Sequence, residues 1–251
     1  MEFACRQPVQ RAVAASVLLV SVMVPPALAA ADTAVVKCFG QPVTMMGTDG
    51  PDRLVGLGDV ADVIHGGGGD DYLLGGDFYD GGDASDLICG GPGDDHVMGS
   101  PGDDKVSGGP GDDEVDGGNG ADLEYGNAGA DRVGQGSFAD ADSANDVIMG
   151  GTGDDHLIGG WGRDKLYGQR GKDTLVDTEC DGPTRLDGGP GEDALESWSS
   201  SFEGWHGNVC DQISDLVIGG GAADVAEVDE RDRVRGVEDV TVITDPELPQ
   251  G

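Results

Sequence analysis

Residues 90–134 read GGPGDDHVM, GSPGDDKVS, GGPGDDEVD, GGNGADLEY and GNAGADRVG. Glycine returns every nine residues at Gly90, Gly99, Gly108, Gly117 and Gly126, and again three places on at Gly93, Gly102, Gly111, Gly120 and Gly129. Aspartate keeps the same beat at Asp95, Asp104, Asp113, Asp122 and Asp131. Two residues later stand Val97, Val106, Val115 and Val133, with Glu124 the exception. A fixed period of this kind marks an architecture of stacked repeats.

Each unit is Gly-Gly-x-Gly-x-Asp-x-U-x, with U apolar. The glycine-rich six form a tight turn, because glycine accepts positive φ. The last three form a very short strand with one side chain facing inward. Alternating turn and strand predicts an all-β coil with a stack of turns on each side and aspartates aligned in columns. One buried aliphatic side chain per nine ordered residues is too little apolar burial to offset the backbone entropy, and columns of carboxylates repel. A hard cation that takes carboxylates and turn carbonyls as ligands removes both difficulties. Calcium fits, since it accepts six to eight oxygens in loose geometry, whereas magnesium keeps its water and a stricter octahedron.

The units GGPGDDHVM, GGPGDDEVD and GGTGDDHLI (150–158) resemble the nonapeptide of RTX (repeats-in-toxin) calcium-binding proteins, and the resemblance runs from Gly47 to about Glu227. It implies a right-handed parallel β-roll with two nonapeptides per coil. Several calcium ions would sit between adjacent turns of one stack, bound by motif aspartates and backbone carbonyls. On the positions of this chain the carboxylates are Asp52, Asp62, Asp71, Asp86, Asp95, Asp104, Asp113, Asp122, Asp131, Asp146, Asp155, Asp164, Asp173 and Asp193. The carbonyl donors include Gly90, Gly93, Gly99, Gly102, Gly108 and Gly111.

The chain has 251 residues, 49 acidic against 14 basic, a net charge of −35 and 47 glycines. That balance is compatible with disorder, but disorder has no reason to place an aliphatic residue two positions after each aspartate. The acid excess argues against nucleic acid or anionic lipid as partners.

Residues 1–31 read as a secretory signal peptide, with Arg6 and Arg11 before an apolar stretch from Ala12 to Val24. Cleavage fits after Ala27-Leu28-Ala29 or Ala29-Ala30-Ala31, and the alternative is a retained anchor. This departs from many RTX proteins, which leave the cell by an uncleaved C-terminal signal. The mature chain is expected to be extracellular, off the membrane and monomeric. Cys5 would be lost, leaving Cys38, Cys89, Cys180 and Cys210. An even count in an oxidising compartment predicts two disulfides. Three pairings are open, with Cys38–Cys89 and Cys180–Cys210 favoured.

Residues 32–46 form an expected N-terminal cap, broken by Gly40 and Pro42. The roll then spans 47–196, with interruptions near 75–80, 135–145 and 177–187. Residues 197–213 carry Trp198, Phe202, Trp205 and Cys210, an aromatic insertion that reads as a hydrophobic patch over the roll or as a binding loop. Residues 214–251 hold degenerate repeats and a C-terminal cap. His96 and His156 follow motif aspartates and are expected to face solvent. No HExxH, GxSxG or P-loop motif occurs, and the regular spacing of the carboxylates favours ligation over acid–base catalysis. The sequence therefore points to a non-catalytic, secreted calcium-binding roll. The alternatives are an adhesin or matrix scaffold using the roll as a spacer against a cell-wall or matrix component, and a secreted hydrolase with a cryptic site.

Overall fold

The computed structural model describes residues 36–76, 82, 84–134, 144–177, 183–197, 216–220, 223–228 and 232–242. The chain divides into Met1–Ala34 and Val35–Gly251, and every described residue lies in the second unit. The expected signal peptide, the aromatic insertion, Cys180, Cys210 and most of the other interruptions lie outside the described residues.

Among the described residues there are twenty-two strands. β1 (Lys37–Cys38) and β2 (Gln41–Pro42) pair antiparallel around Phe39 and Gly40, both at positive φ. The strands that follow alternate between two parallel sheets. Odd-numbered strands from β3 (Met45–Met46) to β21 (Arg233–Arg235) form one ten-stranded sheet, and even-numbered strands from β4 (Arg53–Val55) to β22 (Asp239–Val242) form the other. The chain is a parallel β-roll. Val97 pairs with Val115, and Val106 with Glu124, so equivalent residues of neighbouring coils are two nonapeptides apart.

In each repeat the residue two places after the motif aspartate turns inward. Val97, Val106, Val115, Val133, Ile148, Leu157, Leu166 and Leu175 are all fully or almost fully buried. They form one continuous column between the sheets with Ile64, Leu73, Ile88, Leu186, Leu195 and Val217. Branched aliphatics suit this position, since each must fill the gap between two close sheets with one side chain.

The β1–β2 hairpin is joined to the roll by a disulfide from Cys38 to Cys89, with Cα atoms 5.8 Å apart across 51 residues of sequence. Of the favoured pairings, this one is present. The roll itself starts at β3, two residues before the expected boundary. At the far end of the described residues β21 and β22 extend the two sheets by one strand each. Val240 and Val242 there are 39% and 50% exposed, so the apolar column opens at that end.

The long interruptions share a location. Residues 77–81, 135–143, 178–182, 198–215 and 229–231 all fall between an even-numbered strand and the odd-numbered strand after it. The turns that lead from an odd-numbered strand to the next even-numbered one form the stack with the more regular repeat.

Candidate metal centre

Two glycine positions shape each turn. At the fourth position Gly111 has φ +144, and a β-carbon there would overlap the Gly93 carbonyl of the preceding coil. Only glycine combines that backbone with so close an approach. At the first position Gly108 faces the inside of its own turn, where a β-carbon would overlap the Asp113 carboxylate. The space it leaves is bounded by oxygen.

The structure places the sequence-predicted aspartates in two columns, one on each turn stack. On the more regular stack the backbone N–H of each aspartate donates to Oδ1 of the next coil's aspartate. Asp52 donates to Asp71 at 2.8 Å, Asp71 to Asp95 at 2.8 Å, Asp95 to Asp113 at 2.8 Å and Asp113 to Asp131 at 2.9 Å. The series continues from Asp131 to Asp155, Asp173 and Asp193. On the interrupted stack the same rule links Asp62, Asp86, Asp104, Asp122, Asp146 and Asp164 at 2.7–2.9 Å.

One carboxylate oxygen is thus fixed by the backbone. The other, Oδ2, is buried without a hydrogen-bond partner in Asp71, Asp95, Asp104, Asp113, Asp131, Asp155, Asp173 and Asp193. It faces the space under the turn's first glycine, and at Asp71, Asp95, Asp104 and Asp173 a carbonyl from the next coil borders the same space. A β-carbon on Gly90 would meet both Asp95 Oδ2 and the Gly108 carbonyl oxygen, and one on Gly66 both Asp71 Oδ2 and the Gly90 carbonyl oxygen. The same pairing recurs at Gly99, with Asp104 and Gly117, and at Gly168, with Asp173 and Gly188. Repeated buried acceptors with no donor are costly in an apo fold.

Electrostatics agree with that cost. Burial pushes Asp104, Asp113 and Asp173 up to about 7, and Asp86, Asp95, Asp131 and Asp155 up to about 6. The accepted backbone hydrogen bond opposes the shift in each case, and neighbouring carboxylates add to it. Asp71 and Asp193 move the same way for the same leading reason.

The donor set fits a hard cation. Among the described residues no three His, Cys, Asp or Glu side chains converge as they would in a centre built from side chains alone. A cation here would be held by one or two carboxylates and by backbone carbonyls. That combination suits calcium and is foreign to zinc.

The end turns differ. Asp52 Oδ2 accepts from the Thr48 N–H at 2.6 Å and from the Thr48 hydroxyl at 2.8 Å, which holds its carboxyl below the usual range. Asp62 Oδ2 accepts from the Leu57 N–H at 2.8 Å. Asp62 Oδ1 also accepts from the Thr44 hydroxyl at 3.1 Å, so the protein engages both oxygens of Asp62 and the Oδ2 of Asp52, and each residue is only partly buried.

Sequence reading missed several members of the columns. Asp224 is fully buried, takes the Asp193 N–H on Oδ1 at 3.1 Å and leaves Oδ2 unpartnered. Its place in GGGAADVAE (219–227) was the available signal. Glu238 then accepts from the Asp224 N–H at 2.9 Å, and Thr184 accepts from Asp164 at 3.3 Å; neither follows from the motif. A second, outer column uses the first aspartate of each Asp-Asp pair and runs in the reverse direction. The Asp112 N–H donates to Asp94 Oδ1 at 2.9 Å, and the Ala130 N–H to Asp112 Oδ1 at 2.8 Å.

The histidines are less exposed than expected. His96 is half-buried, stacks on Tyr72 with centroids 4.8 Å apart and bonds Glu114 at 3.0 Å. His156 is also half-buried, and burial lowers its pKa. Both sit on the outer face of the even-numbered sheet, one strand position after a motif aspartate, where flanking side chains cover them.

The family model of the RTX calcium-binding nonapeptide repeat matches the chain in four copies, at residues 46–81, 80–97, 90–124 and 140–175. No curated protein matches the chain.

Proposed function

From the premise that this chain belongs, by residues 46–175, to the RTX calcium-binding repeat family, we propose that calcium held between adjacent turns drives its folding outside the cell. The observation that carries this is the repeated buried Oδ2 without a partner, facing a carbonyl of the next coil under a first-position glycine.

The residues that would hold the ions are the motif aspartates whose Oδ2 faces such a space, Asp71, Asp95, Asp104, Asp113, Asp131, Asp155, Asp173 and Asp193, with the first-position carbonyls. Asp52 and Asp62 would be weaker ligands, because Thr48 and Leu57 already occupy their inner oxygens. Bound calcium supplies positive charge and satisfies the acceptors. The protein's part is to fix each carboxylate through its Oδ1 bond and to leave room by omitting a β-carbon. Binding that occurs only in the folded state adds its free energy to folding. Secretion is supported by the character of residues 1–31 and by the Cys38–Cys89 disulfide, a bond that persists in oxidising compartments. The reading is of a non-catalytic protein.

Calorimetric titration of calcium into the purified chain and into an Asp95→Asn/Asp113→Asn/Asp131→Asn variant tests this. The wild type should bind several ions with Kd about 10⁻⁴–10⁻³ M, and the variant fewer. A wild type that binds none, or a variant that binds the same number with equal affinity, contradicts the proposal.

A further inference from the structure

Among the described residues, the apolar column inside the roll has one ionisable member, Glu124. Glu124 pairs in register with Val106 on one side and Ile148 on the other, and it is 1% exposed. Valine serves the corresponding position in Val97, Val106, Val115 and Val133. Replacing an aliphatic side chain by a buried carboxyl is unfavourable unless its oxygens are satisfied. Only part of that satisfaction comes from the protein. The carboxylate accepts from the Gly117 backbone N–H, while Oε2 is buried with no hydrogen-bond partner.

Gly117 is the first residue of the turn that ends in Asp122. A β-carbon on Gly117 would lie 2.5 Å from Asp122 Oδ2, so the Asp122 carboxylate and the Glu124 carboxylate approach the same glycine. Asp122 comes from the turn, and Glu124 from the strand that follows it. On the next coil Asp146 Oδ1 accepts from the Asp122 N–H at 2.8 Å. A shared cation would take up the open oxygen of Glu124.

We propose that Glu124 is an inward ligand for a calcium ion held at the turn from Gly117 to Asp122, giving this site one more carboxylate than the motif supplies elsewhere. The inference rests on the calcium reading above and extends it to a core side chain. Two carboxylates with turn carbonyls are enough for calcium. Affinity in oxygen-ligand sites rises with the number of charged ligands, which makes this the tightest site of the roll and the first to fill.

The test is calcium titration of the full chain and of Glu124→Val and Glu124→Gln, with europium(III) luminescence lifetimes to count the waters left on the tightest-bound ion. Valine restores the residue used on neighbouring rungs, so Glu124→Val retains the fold. The wild type should show one class of site at least about tenfold tighter than the rest. Both variants should lose that class, gain water on its ion and keep the weaker sites. Variants with the same tight class and the same lifetimes as wild type overturn the assignment of Glu124 and leave calcium binding standing. A wild type that binds no calcium overturns both.

Discussion

Acid should fold this chain in the absence of calcium. The carboxyls of Asp86, Asp95, Asp104, Asp113, Asp131, Asp155 and Asp173 are held at about 6 to about 7 in the roll, chiefly by burial. In an unfolded chain such a group titrates near 3.9. The roll therefore binds protons more tightly than the coil. The stability this supplies is complete below about pH 4 and is lost as pH rises through 6 to 7. A tenfold difference in proton affinity between roll and coil is worth about 1.4 kcal/mol. Allowing for screening by water at the turns leaves about 1–2 kcal/mol per carboxyl. Together the columns are worth on the order of 10 kcal/mol, the size of a domain's entire net stability. Ionisation of these carboxyls is therefore expected to unfold a metal-free roll above neutral pH, and calcium at pH 8 to replace the protons. Far-UV circular dichroism in chelator should show coil at pH 8 and β structure near pH 4.5. Sedimentation velocity run alongside would separate folding from association, since the pI is about 4.1. Asp95→Asn/Asp113→Asn/Asp131→Asn should have more β structure than wild type in chelator at pH 7 and respond less to calcium. A monomeric wild type whose β signal in chelator does not rise with acid, together with a variant unchanged at pH 7, would refute the reasoning.

Two further substitutions probe the turn and the column. Gly108→Ala puts a methyl group where the Asp113 carboxylate sits and should weaken calcium binding at that turn by about tenfold or more, whereas Gly111→Ala, at φ +144 and against the Gly93 carbonyl, should prevent proper stacking with or without calcium; titration with circular dichroism distinguishes the two. Leu166→Ala, at a fully buried position between Ile148 and Leu186, should cost about 2–5 kcal/mol in urea unfolding at saturating calcium.

The roll was legible in the sequence because each nonapeptide repeats the same physical solution. An aspartate two places before an aliphatic residue fixes turn, strand and facing at once, so Asp95–Val97 and Asp155–Leu157 needed no further context. What stayed hidden depends on neighbours in space rather than in sequence. Thr184 and Glu238 take the acceptor's place on their coils only because the adjacent backbone N–H arrives there. Asp224 was in phase, but alanines replace the motif glycine around it. The half-burial of His96 follows from Tyr72 and Glu114 on flanking rungs, 24 and 18 residues away in the chain. Glu124 interrupts the aliphatic pattern in the sequence, but its open Oε2 and its place beside Asp122 become visible only when the coils are stacked.

The most direct test is far-UV circular dichroism and native mass spectrometry of the same full-length preparation at pH 8, first in chelator and then in millimolar calcium. The account predicts an expanded, metal-free coil that becomes compact, β-structured and loaded with several calcium ions. A chain that is already compact and β-structured in chelator, or that becomes so in calcium while carrying no metal, would contradict it.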